Sequence, residues 1–115
     1  ARMGLSRAPL AYVQPEMGHT GVSQFLAITK LAEEHGAAVI PHATIGVGIF
    51  MAASLHAAVT LPNCPYHEYQ HSVFDQSIDR IEVAMRCESG QYTLPEGAGL
   101  GVLPTSSLSA FRLSC

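Results

Sequence analysis

Apolar residues along this chain follow two spacings. Short runs of strand length occur at Leu10-Ala11-Tyr12-Val13-Gln14-Pro15 and at Ala37-Ala38-Val39-Ile40-Pro41. Between them, Val22, Phe25, Ile28, Leu31 and Ala32 recur at helical intervals, with Ser23, Lys30, Glu33 and Glu34 largely on the other side, which predicts a helix over Gly21 to His35. Thr20 is the expected N-cap, and Gly36 supplies the stop as a left-handed C-cap. From Val47 to Leu61 the composition is again helical but apolar on nearly every face, so this second helix should be buried on more than one side. Pro62 and Asn63 end it, and a third strand-like stretch, Tyr66-His67-Glu68-Tyr69-Gln70, follows Pro65. Ile81 to Arg86 and Gln91 to Leu94, joined through Glu88-Ser89-Gly90, predict a hairpin. In the tail, Gly97-Ala98-Gly99-Leu100-Gly101-Val102-Leu103-Pro104 is too rich in glycine for a strand and implies close backbone approach or a special turn.

The order is therefore strand, helix, strand, helix, strand, then hairpin and tail. Strands alternating with helices through short loops predict an α/β fold with parallel strands and right-handed crossovers. In such a sheet or barrel the C-terminal ends of the strands share one face, where working groups collect. His42 stands at such an end, before the glycine-punctuated stretch Ala43 to Phe50, and Glu16 and Glu68 lie at or near the two others. Both intervals are 26 residues, one βα unit per step, so this topology brings all three to one mouth.

Composition changes the picture in one respect. Charged residues are 13% of the chain, against about 25% in a typical soluble domain, and 48% is apolar. So little charged surface suits a piece of something larger, and the opening Ala1 to Arg7 leads into a strand without a recognisable start; a fragment is expected. The net charge of −3, with Lys and Arg scattered singly, offers no stripe for phosphates and argues against nucleic acid. Cys64, Cys87 and Cys115 form an odd set with no CxxC pair, which fits a reduced, cytoplasmic setting. Ala43 to Leu61 runs about nineteen residues without formal charge, near the length of a membrane span. His56 interrupts it, Gly46 and Gly48 weaken its start, and no Lys or Arg flanks it closely, so no membrane association is expected.

Several segments, in order, resemble the enolase superfamily: Val13-Gln14-Pro15-Glu16-Met17-Gly18-His19-Thr20-Gly21-Val22, Leu31-Ala32-Glu33-Glu34-His35-Gly36, Ile40-Pro41-His42, Ala52-Ala53-Ser54-Leu55-His56, His67-Glu68-Tyr69-Gln70 and Leu94 to Val102. The branch most similar is the mandelate racemase subgroup of the mandelate racemase/muconate lactonizing enzyme family, which includes many acid-sugar dehydratases. The resemblance implies the last three strands of a (β/α)7β TIM-like barrel over residues 1–80, followed by a hairpin and tail over 81–115 that return to a capping domain. It implies a His on the seventh strand paired with an Asp on the sixth, and a Glu ending the eighth. His42 and Glu68 match two of these. Glu16 stands at the Asp position, and the loop after it is one residue shorter than usual.

The resemblance further implies a division of labour: Glu16 orients His42, His42 moves a proton α to a carboxylate, and Glu68 assists at the substrate carboxylate. His19 and His67 are further candidates for substrate contact. Mg²⁺ is implied as well, with its ligands upstream of Ala1 and none in this chain, together with a small hydroxy-carboxylate substrate and a homo-oligomer as the full-length enzyme. A fragment alone would be inactive. Racemase or epimerase activity is the alternative within the same family.

Two readings stand outside it. His67-Glu68-Tyr69-Gln70-His71 is an HExxH string, which on a helix would place two His on one face for Zn²⁺ with Glu68 as base, Asp75, Asp79 or Glu82 supplying a third ligand in a metalloprotease. Alternatively the chain is a non-catalytic binding or assembly module and His42 a satisfied buried histidine. His19, in a Gly-His-Thr-Gly loop at a helix start, fits a cap or an anion contact; His56 fits a packed core; Cys64 has no adjacent base and no nucleophilic role.

Overall fold

The computed structural model describes residues 9–43, 48–71, 87–111 and 113. Strand β1 (Tyr12–Val13) leads into helix α1 (Met17–Glu34), which returns to strand β2 (Ala38–Val39), parallel to β1 with Tyr12 opposite Ala38 and Val13 opposite Val39. Helix α2 (Gly48–Ala58) comes next, then the hairpin β3 (Cys87–Glu88) and β4 (Gln91–Tyr92), and a 3-10 helix over Ser106–Phe111. The α/β architecture with a parallel pair is as expected.

The regular strands are short because prolines interrupt them. The β1–β2 ladder continues past its assigned ends: Ala38 N–H donates to the Ala11 carbonyl (2.9 Å), Ile40 to Val13 (3.0 Å) and His42 to Pro15 (3.0 Å). Pro15 has no N–H to return to β2, and Pro41 has none to offer the segment on the other side of β2. The third segment lies along the other side of β2, where Val39 N–H donates to the Asn63 carbonyl (2.8 Å) and Glu68 N–H to the Pro41 carbonyl (3.2 Å). Pro65, between those two bonds, keeps it from forming a regular strand.

Helix α1 begins earlier than the spacing predicts. Glu16, in extended backbone, is its N-cap, and Met17 to Thr20 form a first turn before Gly21, at φ 72° and ψ 166°, breaks the helix. Thr20 is not the cap: its hydroxyl donates back to the Glu16 carbonyl (3.1 Å) instead of accepting an amide. The buried face is Phe25, Thr29 and Ala32, while Val22 is 52% exposed. Thr29 tolerates burial because its hydroxyl donates to the Leu26 carbonyl at 2.9 Å. At the other end Gly36 (φ 69°) closes a Schellman motif, its N–H donating to Glu33 and that of Ala37 to Ala32. Ala32 and Ala37 then pack with Val39 in one core cluster.

Helix α2 meets the expectation of burial on several sides, since none of its residues is fully exposed. Met51, Ala52 and Leu55 join Ala43 and Val102 in the second cluster, so the tail folds back onto this helix. The hairpin turn holds Ser89 at φ 51° and Gly90 at φ 75°, the two-positive pattern of a type I′ turn. Its strands are Cys87–Glu88 and Gln91–Tyr92; Ile81 to Arg86, expected as its first arm, lie outside the described residues. The glycine-rich tail is the special turn anticipated, with Gly97, Gly99 and Gly101 all at positive φ. Among the described residues no helix is long and apolar enough to cross a membrane.

Candidate active site

Backbone register assembles the site. Because His42 N–H is held by the Pro15 carbonyl and Glu68 N–H by the Pro41 carbonyl, Glu16 and Glu68 fall on either side of His42. The side chains complete this arrangement. His42 Nδ1 lies 2.6 Å from Glu16 Oε2, and its Nε2 lies 3.7 Å from Glu68 Oε2. The same Glu68 oxygen accepts the Ala43 N–H at 2.6 Å. Glu16 is nearly buried, with 11% of its side chain exposed, whereas the His42 side chain is 37% exposed. The imidazole is thus anchored on its inner nitrogen and reachable on its outer one.

Local sequence explains the anchoring. Glu16 follows Pro15 in extended backbone and makes no side-chain cap, so its carboxylate is available to His42. Gly18, in the next turn, lets helix α2 come close: an added Cβ would lie 3.1 Å from the Phe50 ring and 3.6 Å from Glu16 Oε1. A neutral His42 donates Nδ1–H to the carboxylate, leaving a lone pair on Nε2, so the pair can take up a proton from a bound molecule and stabilise the resulting imidazolium.

The other candidates divide. His19 Nε2 is 3.6 Å from Glu16 Oε1 with a side chain 73% exposed, so it stands at the rim of the site. His67 is half-buried: its Nδ1 is 2.9 Å from the Glu68 carbonyl and its Nε2 2.8 Å from Ser54 Oγ. Both ring nitrogens are engaged within the chain. Burial, first of all, pushes the His67 imidazole below its ordinary pKa, against a smaller upward pull from the Glu68 backbone and charge. Residue pattern points to neither Ser54 nor Tyr92, whose hydroxyl donates to the Glu68 carbonyl at 3.0 Å. The one available signal is Ser54 itself, a polar residue inside an apolar helix. His56 is half-buried, with its Nε2–H donated to the Leu100 carbonyl at 3.0 Å. Cys64 and Cys87 are free thiols, and burial raises the Cys64 pKa, which disfavours the thiolate a nucleophile needs.

The zinc reading is overturned. Residues 67–70 are not helical, so His67 and His71 do not share a helix face, and both nitrogens of His67 are already engaged. Asp75, Asp79 and Glu82 lie outside the described residues. Among those described, no group of three or more His, Cys, Asp or Glu side chains gathers to hold a metal ion. Glu16 and Glu68 each commit one oxygen to donors of the chain itself, and no third carboxylate joins them among the described residues to make a set for Mg²⁺.

A family model described as enolase C-terminal domain-like matches residues 2–107. D-galactarolactone cycloisomerase from Agrobacterium fabrum is 31% identical over 121 residues, covering 95% of this chain and 31% of that protein. Among solved structures, a member of the enolase superfamily from Agrobacterium tumefaciens superposes with a TM-score of 0.89 at 49% identity, over 95% of this chain and 28% of that one. A Sinorhizobium meliloti protein provisionally named an isomerase gives 0.82 at 50% identity, over 88% and 27%. The chain spans under a third of the length of each. With a parallel strand pair that carries its charged residues to one end, and a match over nearly all its length, the chain belongs to the enolase superfamily, as part of its barrel-forming C-terminal domain.

Proposed function

We propose that the full-length protein containing this chain removes the proton α to the carboxylate of a sugar acid or sugar-acid lactone, with His42 as the proton-transferring group. The observation that carries this reading is the bracketed imidazole: Glu16 at 2.6 Å on Nδ1 and Glu68 at 3.7 Å from Nε2. Glu16 sets the tautomer and offsets the positive charge that His42 gains. Nε2 exchanges the proton with substrate. Glu68, on the same side as Nε2, shares a proton with the substrate carboxylate, and His19 contributes a contact at the rim. Magnesium, when held by residues outside this chain, supplies the electrostatic stabilisation that an enediolate requires.

The fate of the enediolate sets the reaction class. If a β-hydroxyl leaves, it departs as water and the reaction is a dehydration. If the leaving oxygen belongs to a lactone ring, it stays attached through the new carboxylate, no atoms are lost, and the outcome is a cycloisomerisation. Return of the proton to the opposite face gives racemisation. Likeness to D-galactarolactone cycloisomerase supports the second course, and the resemblance to the mandelate racemase subgroup leaves the other two open.

The test incubates the full-length protein and Mg²⁺ in D2O with D-galactarolactone and, separately, with its open diacid, and monitors both by NMR. Lactone opening to an isomeric acid identifies a cycloisomerase; water loss from the open acid identifies a dehydratase. Failure to exchange or remove any α proton across a panel of sugar acids and lactones would sink the proposal.

A further inference from the structure

Glu68 is held at its backbone N–H, at its carbonyl and at one carboxylate oxygen by hydrogen bonds within the chain. Its N–H donates to the Pro41 carbonyl at 3.2 Å, beside β2, and its carboxylate accepts the Ala43 N–H at 2.6 Å. Its carbonyl accepts twice, from His67 Nδ1 (2.9 Å) and from the Tyr92 hydroxyl (3.0 Å) of β4. Because a carbonyl only accepts, Nδ1 must carry the ring proton. In the neutral ring Nε2 is then a lone pair, and the hydroxyl of Ser54, fully buried on α2, donates into it at 2.8 Å. The Tyr92 ring meets the His67 ring edge-on, with centroids 5.6 Å apart and planes at 78°.

We propose that Ser54, His67 and Tyr92 form a positioning relay that fixes the Glu68 backbone, and through it keeps the Glu68 carboxylate in register with His42 Nε2. The proposal rests on the reading of His42 and Glu68 as the proton-transfer pair. Each of the three acts through the Glu68 carbonyl, directly or through His67. The consequence is that helix α2 and the C-terminal hairpin are both tied to the placement of one carboxylate. A shift of about 1 Å at such a group can lower turnover about a hundredfold. Burial of His67, which favours its neutral form, keeps the donor pattern in this single orientation.

The test uses the full-length protein with Mg²⁺. In ¹⁵N NMR, His67 should be the neutral Nδ1–H tautomer. Tyr92→Phe removes one donor and keeps the ring. It should speed exchange of the Ala43 amide, which reports on the Glu68 carboxylate, by about tenfold, and lower kcat about 10- to 100-fold with KM changed less than about twofold. His67→Leu should do the same. His67→Asn, whose amide NH2 can stand in for Nδ1–H, should recover most of both. An Nε2–H tautomer, or parental Ala43 exchange and kcat in both Tyr92→Phe and His67→Leu, would overturn the relay. If the unsubstituted protein exchanges no α proton, the functional reading fails by itself, while the tautomer and Ala43 exchange still decide the relay.

Discussion

Glu16 carries one methylene more than the Asp that the family resemblance places at this position, and its side chain spans to His42 Nδ1 at 2.6 Å. Glu16→Asp should withdraw the carboxylate by about one bond length, roughly 1.5 Å, beyond hydrogen-bond reach of the ring. Steady-state kinetics of that variant should show kcat lowered about a hundredfold with little change in KM, and an unchanged kcat would mean that Glu16 does not orient His42. His67 gives a pH signature. Burial holds its pKa below the ordinary histidine value of about 6.5, so on acidification the unfolded state takes up a proton before the native state does. The stability it contributes is therefore present above about pH 6.5 and is lost as the pH falls through the window below. Amide exchange at Glu68, corrected for its intrinsic pH dependence, should show an opening free energy that declines on acidification and a flatter profile in His67→Asn. At this scale the gathering of His42, Glu16 and Glu68 was legible because Glu16 and His42 follow strand-like runs and Glu68 lies within a third. The roles of His67 and Tyr92 were not, because both act on a backbone carbonyl, which leaves no mark on the residue pattern.

Periodicity located both helices of the βα units but misjudged the edges where backbone chemistry intervenes. Gly21 looked like the start of α1, yet its positive φ makes it a break inside that helix, after a turn begun at Met17. The third strand-like stretch pairs with β2 at only two points, because Pro41 and Pro65 each remove a donor. In the tail, glycine density correctly signalled close approach, and Gly101 shows why. At φ 73°, any Cβ there would lie 2.7 Å from the Glu96 carbonyl oxygen and 2.8 Å from Pro95 backbone atoms. Gly101→Ala should therefore cost more than the roughly 1–2 kcal/mol of a left-handed non-glycine residue, since the backbone must also move. The effect should spread to Val102, which packs on Met51 and Leu55, and to the His56–Leu100 hydrogen bond. A lowered urea midpoint for the full-length protein checks this; a midpoint equal to the parent would contradict it.

At the scale of the whole molecule, the described residues expose apolar surface that a self-sufficient domain would cover. Leu10 and Tyr12, beside and on β1, are exposed, as are Val22 and Leu26, one turn apart on α1. Strand β1 has no outer neighbour among the described residues. These features agree with the low charge content and with a span under a third of the relatives' length. The amide of Tyr12, which alternates with the β2-facing Val13 and so faces the open edge, should accordingly exchange much faster in the 115-residue chain by itself than in the full-length protein; equal protection would argue against further packing over this edge. Proton transfer by His42 is the step on which the proposed function turns, and the most direct measurement is α-hydrogen exchange in D2O by the full-length protein and its His42→Asn variant, both loaded with Mg²⁺. The variant should retain metal binding and lose exchange at the position His42 serves by at least about a hundredfold; exchange at the parental rate would remove His42 from that role.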